Sequence, residues 1–149
     1  MKQKPKRTKA YRPKHIEIPV MPDLQKEFMF ASHASLATLR LEPTSEAFDQ
    51  LADLFNVISV ALQDTGGRSL ILDSGMRALQ DVCDRAERTG QIGLGRFELP
   101  PLENAVIECE EIVKQLDVMR LYQARLKVVH AARIARAVSN HTNQKELAA

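Results

Sequence analysis

Apolar residues along most of this chain recur every three to four positions, the spacing of an amphipathic helix rather than a strand. A first helix is predicted to open at Pro22, with Asp23 and Glu27 suited to its N-terminal dipole, and to stop at Pro43. Leu24, Phe28, Ala31, Ser35 and Leu39 form its expected buried stripe, with Leu36 beside it. A second opens on Thr44 as N-cap, with Ser45, Glu46 and Asp49 in the opening turns. Its stripe of Phe48, Leu51, Leu54, Phe55, Ile58 and Leu62 runs until Gly66-Gly67. A third is predicted from Ser69 or Asp73 to Arg88, on Leu72, Met76, Leu79, Val82, Cys83 and Ala86, closed by Gly90.

Residues 90–101 read as a loop by their glycines and prolines, and helical periodicity then resumes almost to the end of the chain. Leu102, Val106, Cys109, Val113 and Leu116 make one stripe, which Leu126, Val129 and Val138 continue. A single helix over this length would be longer than globular helices usually are, so a break is expected near Asp117, which caps a last helix over Val118–Val138. The expected architecture is all-α: a four- to five-helix bundle with an extended basic N-terminal arm. In outline, residues 1–21 are arm, 22–138 the helical domain and 139–149 a polar, flexible tail.

Ahead of the helices, Ile16-Glu17-Ile18-Pro19-Val20 alternates apolar side chains at period two, while Pro19 confines it to an edge or to a polyproline-like stretch. The plainer reading is an apolar lace across the domain's own helices. The sharper one is a strand added to a partner's sheet.

Charge changes the picture more than composition does. All 149 residues sum to +2, but seven of the 21 basic residues lie in the first fifteen positions, where there is no acid. The rest holds 14 bases against 19 acids, a net charge of −5. Lys4, Lys6, Arg7, Lys9, Arg12 and Lys14, with Tyr11 as a stacking ring, are candidates for contact with nucleic acid or with an acidic protein surface. A second basic feature sits in the last helix. From Val118 through Arg136 there are five bases and no acid, and Arg125, Arg133 and Arg136 share a sector. The competing reading pairs these bases with the acids at 103–117, or with acids of the second and third helices.

Other chemistry is thin. Gly90, Gly93 and Gly95 lack the spacing and preceding strand of a phosphate-binding loop. His15, His33, His130 and His141 have no zinc-type spacing, and Ser and Cys nucleophile signatures are missing. Asp81 with Asp84, or Glu108 with Glu111, would need ligands from another helix to hold a cation. Cys83 and Cys109 are expected as reduced thiols, neither bridged nor reactive. No catalytic residue, cofactor or metal site is expected. No apolar run approaches a membrane span, and no signal peptide is recognised, so a cytoplasmic location is expected.

Four segments carry a resemblance: Tyr11-Arg12-Pro13-Lys14, the Ile18–Pro22 segment IPVMP, EAFDQLADLFNVISVAL in the second helix, and VCDRAERTGQIG from Val82 to Gly93. Together they resemble small uncharacterised helical proteins of proteobacterial phages and prophages, over Lys9 to about Leu126. The resemblance implies a helical fold and a phage accessory role in a host cell, and it carries no catalytic residue across. The function expected is non-enzymatic: contact with nucleic acid or a nucleoprotein complex. The alternative is a protein-interaction module, such as an inhibitor of a host factor or an assembly component, with a second copy of the chain among its admissible partners.

Overall fold

Five segments carry helical periodicity between turn or cap residues, and each is a helix in the computed structural model, which describes residues 16–148. In order these are α1 Pro22–Leu41, α2 Ser45–Asp64, α3 Leu70–Thr89, α4 Leu99–Gln115 and α5 Val118–Leu147. No strand occurs among the described residues. Of the arm expected over residues 1–21, residues 1–15 lie outside them.

The predicted punctuation accounts for most boundaries. Thr44 Oγ1 accepts from the Ala47 N–H (3.1 Å), Ser69 Oγ from Leu72 (3.2 Å), and Asp117 Oδ2 from Arg120 (3.3 Å). Each satisfies a first-turn donor that has no intrahelical partner, worth about 1 kcal/mol. Gly90 takes a left-handed φ of 72° and its N–H returns to the Ala86 carbonyl, ending α3. Helix α4 starts at Leu99, inside the expected loop, because Pro100 and Pro101 fit a first turn whose N–H groups need no partner. Helix α5 runs to Leu147 instead of ending at Val138, since no Gly or Pro interrupts it.

Helix α2 is the centre of the packing and touches all four others. Its Leu51, Phe55, Ile58 and Ala61 are fully buried, with Leu39 of α1, Leu72 of α3, and Leu102, Val106 and Cys109 of α4. Burial departs from the predicted stripes on α1 and α3, as well as on α5. On α1 the inner face is Ser32, Ser35, Leu36 and Leu39, while Leu24 and Ala31 are exposed. The serines fit there because Ser32 Oγ donates to the Met29 carbonyl and Ser35 Oγ to Gln50 Oε1. On α3, Gly75 and Ala78 are buried with Leu72, Leu79 and Val82. A Cβ at Gly75 would collide with that of Ala105, so α3 and α4 approach more closely than any larger residue at 75 would allow.

The segment before α1 lies on its own bundle, as the plainer reading has it, but through Val20 and the backbone rather than an apolar lace, since Ile16 and Ile18 are exposed. Val20 is 2% exposed. The Ile18 N–H donates to Asp117 Oδ1 (2.7 Å), and its carbonyl accepts from the Val118 N–H (2.8 Å). The backbone groups that a partner's sheet would require at Ile18 are therefore used within the chain.

Candidate interaction surface

Two charge features were separate in the sequence, and the fold brings their attachment points together. Asp117 ends the α4–α5 corner, caps α5 and holds Ile18, so the chain leading back to the basic arm meets the bundle at the root of α5. From that root α5 leans on α2 alone among the helices. Two of its bases fix the contact at the C-terminus of α2. Arg120 Nη1 donates to the Asp64 carbonyl (2.8 Å), and Lys127 Nζ reaches both Asp64 carboxylate oxygens (2.9 and 2.7 Å). Cations at a helix C-terminus complement its dipole, so this placement is favoured beyond the ion pair itself.

The residues of α5 that pack on the bundle are Val118, Leu121 and the fully buried Ala124, with Val128 half-buried at the margin. Leu126, Val129 and Val138, expected to continue the α4 stripe, are exposed instead, at 51%, 41% and 61%. The reason is the corner at Leu116–Asp117, which resets the helical phase. From Val129 onward every described residue is exposed, so the last five turns of α5 stand clear of the bundle.

Of the five bases from Val118 through Arg136, Arg120 and Lys127 are tied to Asp64. Arg125, Arg133 and Arg136 make no ion pair among the described residues. Three of the four acids of α4 are committed elsewhere: Glu108 accepts from Ser69 Oγ (2.7 Å), Glu110 pairs with His33 of α1, and Glu111 with Lys114 (2.6 Å). The competing reading of internal neutralisation thus holds for two bases, through α2. At helical spacing Arg125, Arg133 and Arg136 share one side of α5 with Tyr122, Leu126 and Val129. Tyr122 is 57% exposed. The predicted residues Lys4, Lys6, Arg7, Lys9, Tyr11, Arg12 and Lys14 lie outside the described part of the chain.

A second polar cluster, which the sequence did not single out, closes the glycine loop. Arg85 Nη1 and Nη2 donate to the two Glu98 oxygens (2.5 and 2.7 Å), and Nη2 also donates to the Gly93 carbonyl (2.5 Å). The Gly95 N–H donates to Glu98 Oε2 (2.5 Å). Hydrogen bonds from Arg85 hold the buried Glu98 carboxyl below the usual carboxylate range against the opposing effect of burial, and Glu98 in turn raises the guanidinium. This is a clasp rather than a reactive centre: the two side chains are engaged with each other and with the loop backbone. The hollow beside it, about 630 Å³ and broadly open, is lined by Asp81, Asp84, Glu87 and Arg88 as well as the pair. A smaller one of about 270 Å³ lies at the α2–α3 corner, where Arg68 and Asp73 pair at 2.7 Å. Ser69 lines it, but its hydroxyl is engaged as a cap and with Glu108.

Burial pushes the Cys109 thiol up to about 12, so it stays protonated and packs as a small apolar group; Cys83 is half-buried, and neither is bridged. Among the described residues no three metal-ligating side chains cluster, and no helix is long and apolar enough to cross a membrane. Set against protein-family models, curated proteins and solved structures, the chain finds no match.

Proposed function

We propose that this protein is a non-enzymatic binding protein that contacts nucleic acid, alone or in a nucleoprotein complex, through its basic arm and the arginine side of α5. The observation that carries this reading is a stretch from Val118 through Arg136 without one acid, whose Arg125, Arg133 and Arg136 have no acidic partner among the described residues. Docking of Ile18 at the root of the same helix fixes there the point from which the chain leads back to the arm's seven basic residues. A polyanion meeting both releases counterions from each phosphate engaged, which gives sequence-independent affinity with a steep salt dependence. Tyr122 adds a ring for stacking to a surface otherwise built of guanidinium groups. The setting we infer is the cytoplasm of a bacterial host, as a phage accessory protein, in line with the resemblance drawn from the sequence.

Titration of fluorescent duplex DNA and RNA over a salt series tests this. The full chain should bind with a steeply negative dependence of log K on log salt. Deleting residues 1–14 should lower affinity by an order of magnitude or more, and replacing Arg125, Arg133 and Arg136 by Gln should shallow the slope by about one for every phosphate no longer neutralised. Affinity unchanged by the deletion refutes the proposal. The second reading, a protein-interaction module, draws on the exposed Tyr122, Leu126 and Val129 interleaved with the arginines. Its apolar contacts would persist at high salt, where phosphate contacts fail.

A further inference from the structure

The free part of α5 has two sides, and the nucleic-acid reading uses only one. Opposite the arginines, Leu121, Ala124, Val128, Ala131, Ala135, Val138 and Thr142 follow one another at alternating intervals of three and four, the a/d seam of a two-stranded coiled coil. The first two pack on the bundle, Val128 is half-buried at its margin, and the line continues without a break past the point where the bundle ends. There it is uncovered: Val138 is exposed, and Ile134 beside the seam is 52% exposed. Nineteen exposed residues of helix, roughly 28 Å long, are marginal in water.

We infer that a second copy of this chain covers the seam, its α5 running antiparallel to the first. Two observations select that occupant. One is shape. The uncovered face is a single helix wide and rich in Ala and Val, which lets another helix approach closely and, Ile134 at its edge apart, offers none of the large apolar groups by which a helix enters a lipid surface.

The other is charge. Glu146 is the only acid on α5, and it stands three heptads from Arg125 on the same edge of the seam. In an antiparallel pair, like edges meet. When Ala135 of one helix lies against Val138 of the other, Arg125 of each copy falls beside Glu146 of the other, giving one ion pair at each end. In the same register Ala131 meets Thr142. Arg133 and Arg136 stay on the outer side, so the pairing doubles the basic surface rather than hiding it. It does not depend on nucleic-acid binding.

The mass of the full chain in solution, by light scattering or sedimentation equilibrium at micromolar concentrations, tests the inference. The wild type should be a dimer, and Ala135→Glu, which sets a charge in the middle of the seam on an exposed residue, should be a monomer with its helical bundle intact. Asn140→Glu, on the opposite side, should leave the dimer in place. Arg125→Glu and Glu146→Arg should each weaken association several-fold, and the two together should restore it. A monomeric wild type, or a dimer indifferent to Ala135→Glu, overturns the pairing. A double exchange that fails to restore association overturns the antiparallel register. Because the middle of the seam is built of Ala and Val, the dimer should survive 1 M salt, where nucleic acid is released, so failure of either proposal is visible independently of the other.

Discussion

The four-helix body and the free length of α5 are both helical, yet they are helical for different reasons. In the body, every helix has at least two neighbours and a buried face, and its ends are closed by caps, prolines or a left-handed glycine. Tertiary burial supplies most of the stability, so local propensity can be poor: Gly75 sits mid-helix and two serines line the core. In the free part of α5 the balance reverses. Every residue of Val129–Leu147 is exposed, and the segment depends on Ala, Arg, Gln and Lys, which favour a helix by themselves. A region held by its neighbours reports on packing when it is mutated, whereas a region that stands clear reports on partners.

The largest effects should therefore fall in the body. Phe55 is fully buried at the centre of α2 and packs in the common core. Phe55→Ala leaves a cavity where three helices meet and should lower unfolding free energy by about 3–5 kcal/mol in urea denaturation. Leu126→Ala removes a large apolar side chain from the outer side of α5 and should change stability by no more than about 0.5 kcal/mol. A drop of about 2 kcal/mol or more at Leu126 would mean that this side of α5 packs against something, and the contrast between the two regions would fail.

The Arg85–Glu98 clasp sharpens the comparison through pH, because it joins α3 to the loop before α4 and has no counterpart on α5. The folded protein holds the Glu98 carboxyl below its ordinary value of 4.5, chiefly through the Arg85 hydrogen bonds, with the Gly95 N–H contributing as well. A carboxylate depressed in the folded state stabilises fully above its unfolded pKa, and that contribution is lost as pH falls through the folded value. Glu98→Gln should therefore be less stable than wild type at pH 7, and the gap should close progressively below pH 4.5. Equal losses at pH 7 and pH 3 would show that shape, not charge, holds the loop. Arg133→Gln on α5 should show no such pH-dependent loss.

Much of this was legible in the residues. Thr44, Ser69, Gly90 and Asp117 mark helix ends by local hydrogen-bonding chemistry, which requires no knowledge of the fold, and all four do so in the structure. Which face each helix buries was less legible, because that depends on its neighbours. The small residues at the α3–α4 crossing give no hydrophobic signal at Gly75, although they let the two helices touch. Leu126 and Val129 continue the α4 pattern on paper, yet the corner at Asp117 turns them outward. The basic character of α5 was visible, but not its division into Arg120 and Lys127, held by Asp64, and the arginines left over. That division is a matter of distance across the fold, and a linear pattern does not contain it.

The most localised expected effect lies at the junction of the two regions. Asp117 caps α5 and, through the Ile18 N–H, ties down the segment that leads to the arm. Asp117→Ala removes both acceptors, and the cap alone should cost about 1 kcal/mol. That cost should be concentrated at the root. Hydrogen exchange at the Ile18 and Val118 amides should accelerate while that of the α2 core amides stays slow, because only the former depend on this corner. Asp117→Asn keeps a cap acceptor in place and should restore most of the protection. If Asp117→Ala instead speeds exchange throughout the bundle, the root of α5 is part of the cooperative core, and the body and the projecting helix unfold as one unit.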